Sequence, residues 1–241
     1  MARVDRISTG RLTARLAETP EDVGRAQALR HLCFHGRPGL DADEFDPLCQ
    51  HVLLESEGQL LGCYRVLAVP EGAAGQSYSG QRYDLSRLGE WRAPMLELGR
   101  FCLAPGQPDP DLMRLAWAML ARLVDRAGAA LLFGCTSFPG ADPAHHIAAL
   151  SLLAASAPPP ALAPGRRSPE ILALQGLTCP DPRQARAQLP ALLRSYLALG
   201  GWVSDHAVID RQMNTLHVFT AVEIAAIPPA RARALRLLAG D

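Results

Sequence analysis

The nine residues Met95-Leu96-Glu97-Leu98-Gly99-Arg100-Phe101-Cys102-Leu103 constrain the fold more than any other stretch of the chain. They form an apolar, strand-like run interrupted by a carboxylate and a guanidinium three positions apart. A regular strand alternates its faces, so Glu97 and Arg100 would point to opposite sides. Gly99 lies between them, and a glycine inside a strand often marks a bulge or the close approach of another backbone. A bulge would bring both charges to one side. Without one, the pair reads as a salt bridge on an exposed strand face. Which of the two holds depends on whether other segments supply partners.

The 241 residues are 49% hydrophobic and 20% charged, which is ample for a core and does not indicate disorder. With no internal repeat and no clear linker, the expectation is a single domain over 1–241. A formal net charge of +0 argues against a general nucleic-acid binder. Every basic residue is arginine, which excludes Schiff-base chemistry on a lysine. The six cysteines contain no C-x-x-C pair, so zinc-ribbon and thioredoxin readings fail. The opening MARVDRISTGRLTARLAETPED has no apolar core and does not read as a signal peptide. No apolar run is long enough to span a bilayer. The expectation is a cytoplasmic protein with reduced thiols, with peripheral contact at a membrane surface left open.

Arg11 to Ala17 reads as a strand. Thr19-Pro20-Glu21-Asp22 is a helix start, and the helix runs to about Cys33 or Phe34 with Val23, Ala26, Leu29 and Leu32-Cys33 as its apolar positions. Arg30 and Phe34 lie one turn apart on it and share a face. His35 to Gln50 is a loop that concentrates Asp41, Asp43, Glu44 and Asp46. His51–Glu55 and Gln59–Val69 are strands joined at Glu57-Gly58, with Arg65 interrupting the second. Gly72 to Gly80 reads as a flexible loop. After the central strand come a loop over Ala104 to Asp111, an amphipathic helix over Asp111 to Arg126 and a buried strand over Ala129 to Cys135. Thr136 to Asp142 reads as turn-rich, Pro143 to Ala154 as a helix and Ser156 to Pro169 as a loop. Leu189 to Leu199 is a helix stopped by Gly200-Gly201. Asp205–Asp210 and Leu216–Val222 read as a hairpin turning at Gln212 to Thr215, and a short basic helix follows Pro228.

This order, with Arg30-x-x-x-Phe34, Asp43-Glu44-Phe45-Asp46, Arg65 and Glu97-x-Gly99-Arg100-Phe101, resembles the acyl-homoserine-lactone synthases. Where those enzymes usually carry a Trp soon after the Arg-x-x-x-Phe element, this chain has Leu40. The closer resemblance is to the ornithine–acyl-carrier-protein N-acyltransferases. It is carried by Asp43 to Asp46 with Cys49-Gln50-His51, Gly62-Cys63-Tyr64-Arg65 and Glu97-Leu98-Gly99-Arg100. Leu132 to Gly140, Leu189-Pro190, Tyr196 to Gly200 and Val208-Ile209-Asp210 add to it, and the likeness spans about residues 10 to 222.

The resemblance implies an α+β, GNAT-like (acyl-CoA N-acyltransferase) fold. Its sheet would be mixed, mostly antiparallel and flanked by helices, with a split between two adjacent parallel central strands. It implies transfer of a 3-hydroxyacyl group from the phosphopantetheine of acyl carrier protein to the α-amine of an amino acid, ornithine favoured, with no bound cofactor and no metal. Glu97 is then the expected base, with Asp46 and Arg100 as its catalytic companions. Asp43 and Asp46 would hold the acceptor's ammonium and side chain. Arg65 and Arg100 would order the acidic loop or hold the substrate carboxylate, a task suited to the bidentate guanidinium. Arg30 and Phe34 complete the substrate set. A backbone N–H within Phe101, Cys102 and Leu103 would face the thioester oxyanion. The pantetheine arm would lie in the gap between this strand and Ala129–Cys135. Arg114, Arg122 and Arg126 offer a basic face to acidic acyl carrier protein, or form a solvated helix side.

Other readings compete. One is a lactone synthase using S-adenosylmethionine, and another is an N-acyltransferase for glutamine, glycine or lysine. A third is a non-catalytic module binding acyl carrier protein or lipid. A fourth is a thioesterase with Cys135 as nucleophile and His145 or His146 as base. A cysteine at the end of an apolar strand is more often simply buried. His51 reads as a structural hydrogen-bonding residue. Arg231, Arg233 and Arg236 beside Leu235, Leu237 and Leu238 read as a docked surface helix rather than a lipid anchor.

Overall fold

The computed structural model describes residues 6–106, 110–179 and 181–239. Residues 107–109 of the expected loop over Ala104 to Asp111 lie outside that set. In chain order the elements are β1 (Arg6–Thr9), β2 (Leu12–Leu16), α1 (Pro20–His35), β3 (Gln50–Ser56) and β4 (Gln59–Val69). Then come α2 (Tyr78–Arg82), β5 (Tyr83–Asp84), β6 (Met95–Leu103), α3 (Pro110–Ala127), β7 (Leu131–Pro139) and α4 (Ile147–Leu153). The last are β8 (Gly165–Arg166), β9 (Ile171–Ala173), α5 (Pro182–Gln188), α6 (Ala191–Ala198), β10 (Trp202–Asp210), β11 (Thr215–Glu223) and α7 (Pro229–Ala239). The chain divides into two compact units, and the boundary runs through β6 between Glu97 and Leu98.

The first unit holds Met1–Ala68, Leu98–Ala129 and Pro229–Asp241. Its strand order is β1-β2-β3-β4-β6, with antiparallel hairpins at β1–β2 and β3–β4. Glu57 and Gly58 take left-handed φ values of 50° and 85°, the two-residue turn whose twist matches a hairpin. Helix α1 starts as its sequence dictates. The Thr19 side chain accepts the Asp22 N–H, Pro20 opens the first turn, and Gly36 closes the helix at φ 66°. The face it buries deepest is not the expected apolar one. Asp22, Ala26 and Arg30 are buried, whereas Leu32 is exposed. The polar members of that stripe are buried because each meets an opposite charge: Asp22 meets Arg15, and Arg30 meets the acidic loop. Helix α3 is amphipathic as expected: it buries Leu112, Ala116, Met119, Leu120, Leu123 and Val124, and with them Leu115, Trp117 and Ala118. Arg236 of α7 pairs with Asp125 of α3 at 2.9 Å, so the basic C-terminal helix is docked, with Leu237 and Leu238 exposed.

The second unit holds Val69–Glu97 and Ala130–Pro228. Its strand order is β6-β7-β11-β10-β9, antiparallel except for the parallel β6–β7 pair. That parallel register runs from Met95↔Leu131 to Glu97↔Phe133, and both strands continue past it, to Leu103 and Pro139. The core on one side of this sheet joins Phe138, Val203, Ala207, Leu216 and Val218 to Leu150, Leu153 and Leu193 of the helices. Two expectations change here. Thr136 to Pro139 is strand rather than turn, because β11 pairs with it along its whole length. The loop expected over Gly72 to Gly80 contains a helical turn and the start of α2, capped by Ser77, whose hydroxyl accepts the Gly80 N–H.

Among the described residues no helix is long and apolar enough to cross a membrane, and no group of side chains has a metal-ligating arrangement.

Candidate active site

In the first unit the structure gathers five of the expected site residues into one network of charges. The loop after α1 folds back so that Asp41 and Asp46 reach Arg30, which is 1% exposed. Arg30 donates from Nε to Asp41 at 2.9 Å and grips both oxygens of Asp46 at 2.9 and 2.8 Å. The nitrogen that binds Oδ2 of Asp46 also reaches the Asp41 carbonyl. Arg65 enters from β4 and donates to both oxygens of Asp43, at 2.5 and 2.8 Å, and to Asp46 at 2.6 Å. Arg100 enters from β6 and donates to Asp41 at 2.9 Å and to Asp43 at 3.1 Å. Gln27 adds a bond to Asp46 at 2.9 Å, and His51 binds the Asp46 carbonyl at 3.0 Å.

Next to Gly99 the backbone of β6 turns left-handed. Arg100 sits at φ 53°, a left-handed conformation that costs a non-glycine residue on the order of 1 kcal/mol and persists only where the surroundings enforce it. Its two ion pairs supply that enforcement. A Cβ at Gly99 would stand 3.4 Å from Nε of Arg65, which is ordinary contact, so a methyl fits there and a larger side chain would meet the passing guanidinium.

The electrostatics of the network are set by burial against pairing. Burial works against the charged form of Asp46, but the hydrogen bonds and charge of Arg30, with those of Arg65 and Gln27, outweigh it and hold the carboxyl well below the usual range. Asp43 is lowered in the same way, with Arg65, Arg100 and the Phe45 N–H overcoming burial. Burial pulls Arg65 down, and Asp43 and Asp46 more than restore it. Burial also keeps the His51 imidazole below its ordinary pKa, in line with a structural role. The sequence reading assigned Asp43 and Asp46 to an incoming ammonium. In the structure both carboxylates are engaged by arginines, which ties Arg65 and Arg100 to the acidic loop.

The neighbours on β6 are apolar. Phe101 stacks on Tyr64 with ring centroids 5.7 Å apart. Cys102 is buried with its sulfur 3.6 Å from that of Cys63. The Leu103 carbonyl accepts from Cys33, and Phe34 packs against the same cluster.

Glu97 lies in the second unit and is 4% exposed. It sits at the last registered pair of the β6–β7 ladder. Its oxygens accept the amide N–H groups of Tyr78 at 3.0 Å and Ser79 at 2.6 Å, at the start of α2. These two bonds orient the carboxylate. The Ser79 hydroxyl lies 3.4 Å from the Cys135 sulfur. Sequence reasoning missed Tyr78 and Ser79 as the groups that orient Glu97. The signal that could have found them was Ser77 as a helix cap. His145 is exposed, and His146, packed on Phe138, is buried.

Comparison with known proteins agrees with this geometry. An acetyltransferase (GNAT) domain family matches residues 29–118. The L-ornithine N(alpha)-acyltransferase of Rhodobacter capsulatus is 31% identical, over 88% of this chain and 90% of that protein. The enzyme of the same name from Rhizobium meliloti is also 31% identical, over 90% of this chain and 81% of its own length. Among solved structures, FeeM, an N-acyl amino acid synthase from uncultured soil microbes, superimposes with a TM-score of 0.51 at 14% identity, over 96% of this chain and 98% of that one. That likeness speaks to the fold. Together with the mixed sheet and its one parallel pair, these relatives make the chain an acyltransferase of GNAT type, and it belongs to the L-ornithine N(alpha)-acyltransferase family.

Proposed function

We propose that the protein moves a fatty acyl group, expected to be 3-hydroxyacyl, from the phosphopantetheine thioester of acyl carrier protein to the α-amine of ornithine, forming lyso-ornithine lipid. The observation that carries this reading is a buried, oriented carboxylate, Glu97, at the last pair of the parallel ladder in a chain of this family. An α-amino group has a pKa of about 8 and that of a free amino acid sits somewhat higher, so the amine arrives mostly protonated and must lose a proton before attack. Glu97 accepts that proton, directly or through a water. The amine nitrogen then bonds to the thioester carbonyl carbon and a backbone N–H in the stretch 101–103 steadies the oxyanion; as the C–S bond breaks, the nitrogen's second proton passes to the departing sulfur, so the amide forms and the pantetheine leaves as its thiol. Arg30, Arg65 and Arg100, with Asp43 and Asp46, hold the loop after α1 and the turn in β6 that present this stretch. Arg114 and Arg126, both exposed, and the half-exposed Arg122 form the docking face for an acidic carrier protein. This reading puts the enzyme in the cytoplasm with its carrier.

The test is to incubate purified protein with 3-hydroxyacyl-loaded carrier protein and L-ornithine, following thiol release and the N-acyl product by mass spectrometry. The expected result is release that depends on the amino acid and yields N-acylornithine. Absence of acceptor-dependent release overturns the proposal, as does turnover of S-adenosylmethionine to methylthioadenosine. Glutamine, glycine and lysine run as parallel acceptors.

A further inference from the structure

The second unit buries a polar cluster that the reaction above does not use. On β10, His206, Val208 and Asp210 alternate onto one face, and on β11 His217 sits opposite Val208, so it lies diagonally between His206 and Asp210 on that same face. The bulge in β10 just before Ala207 is stapled by Ser204, whose hydroxyl donates to the His206 carbonyl at 2.6 Å and accepts the Phe219 N–H at 3.1 Å. Tyr83 packs over both imidazoles, with ring centroids 5.2 Å from His206 and 5.6 Å from His217. Arg82, next in the chain, brings a terminal nitrogen to 3.2 Å from Oδ2 of Asp210.

The hydrogen bonds fix which atoms of this cluster remain as acceptors. Nδ1 of His206 faces the Asp205 carboxylate at 2.6 Å, so Nδ1 carries a hydrogen, and in the tautomer whose single hydrogen sits there Nε2 is an acceptor. The Tyr83 hydroxyl spends its single hydrogen on the His217 carbonyl at 2.9 Å, so it accepts from Nδ1 of His217 at 3.2 Å. That again makes Nε2 the acceptor. Oδ1 of Asp210 takes the Met213 N–H at 3.0 Å. Nε2 of His206, Nε2 of His217 and Oδ2 of Asp210 are all buried and have no hydrogen-bond partner. Buried acceptors without donors cost free energy unless something supplies the hydrogens.

We propose that this face, formed by His206, Asp210 and His217 beneath Tyr83 and Arg82, binds the side-chain ammonium of the amino-acid acceptor. A primary ammonium carries three N–H donors and one positive charge. The face offers three orphaned acceptors, one of them a carboxylate. The Arg82 contact to Asp210 lacks hydrogen-bond geometry and its side chain is 30% exposed, so it is the contact that an entering ammonium replaces. Size is consistent with one small molecule spanning both ends. Glu97 pairs with Phe133, and His217 pairs with Ser137 one strand further on, which separates their Cα atoms by about 16 Å at ordinary strand spacing, a gap that two long side chains and an amino acid fill. Holding the side-chain amine here as a charged group leaves the α-amine as the nucleophile, which accounts for acylation at one nitrogen of a diamino acid.

The inference rests on the proposed acyl transfer, and its test separates the two. The ratio of kcat/KM for L-ornithine to that for L-norvaline, which lacks the side-chain amine, is measured in wild type, Asp210→Asn and His217→Phe. The expected result is a ratio at least tenfold lower in each variant, through a higher KM for ornithine. Ratios within twofold of wild type in folded variants overturn the site and leave the acyl transfer standing. Should either variant fail to fold, or wild type acylate neither amino acid, the imidazole NMR signals of wild-type His206 and His217 decide. They shift on adding L-ornithine and not L-norvaline if the site is real. Signals unmoved by saturating ornithine mean that ordered water fills the face, and the proposal falls.

Discussion

Arg30 holds Asp46 with two terminal nitrogens, at 2.9 and 2.8 Å from the two carboxylate oxygens, where the guanidinium is 1% exposed and the carboxylate nearly as buried. Breaking such a pair from one side strands a buried charge, at a cost of about 3–5 kcal/mol. Arg30→Met is expected to lose that much stability in urea unfolding. Arg30→Lys is expected to recover little of it, since an ammonium cannot span Asp41 and both oxygens of Asp46. A loss under about 1 kcal/mol in Arg30→Met would show that the network contributes little.

Gly99 tests the reading of β6. An added methyl meets Arg65 at 3.4 Å, which is ordinary contact, so Gly99→Ala is expected to change stability by less than about 1 kcal/mol. Gly99→Val adds branches beyond that contact and is expected to push Arg65 off Asp43 and Asp46, destabilising by about 1–3 kcal/mol. Equal effects of the two substitutions would mean that the glycine is needed for its backbone rather than for the passage of Arg65.

These contacts also indicate how far the sequence could be read. Thr19-Pro20-Glu21-Asp22 fixed the start of α1, and the charged interruptions Arg65, Glu97 and Arg100 marked the strands that matter, because a charge in an apolar run needs a partner. The partners themselves were harder to infer. Arginine and aspartate pair across 11 to 59 positions of sequence, and no local pattern distinguishes an acidic loop waiting for substrate from one already neutralised. Helix α2 was hidden because five residues with a central glycine are too short for periodicity to register. Thr136 to Pro139 has turn composition, and only its pairing with β11 makes it strand. His206 and His217 gave no signal, since a histidine in a strand looks the same whether it faces water or a buried carboxylate.

His217 gives a pH dependence with a definite sign. Burial, the largest influence, pushes its imidazole down to about 4; Asp210 opposes this, while Arg82 and His206 act with burial. A histidine depressed in the folded state is neutral there and protonated in the unfolded chain below its ordinary value of about 6.5. Its contribution is therefore fully present above pH 6.5 and is lost as pH falls toward 4, by about 3 kcal/mol in all. Urea unfolding at steps between pH 7 and 4 should show this slope in wild type and a shallower one in His217→Phe. Identical slopes would mean that other groups carry the acid sensitivity.

Glu97 is the residue on which the chemistry turns, and two roles must be separated in it. Its oxygens accept the N–H groups of Tyr78 and Ser79, so Glu97→Gln sets an NH2 donor against an amide donor and is expected to cost about 1–3 kcal/mol of stability as well as the base. Loss of a general base lowers kcat by about 10²–10⁴. A purely structural role would lower activity by a factor that does not change with pH. A base role predicts that the deficit of Glu97→Gln shrinks as pH rises above about 8 and a growing share of the α-amine arrives deprotonated, needing no acceptor for that proton. The measurement is kcat for N-acylornithine formation from pH 6.5 to 9.5 in both proteins. A deficit that is constant across that range would remove Glu97 from the chemical step and leave it as the anchor of α2.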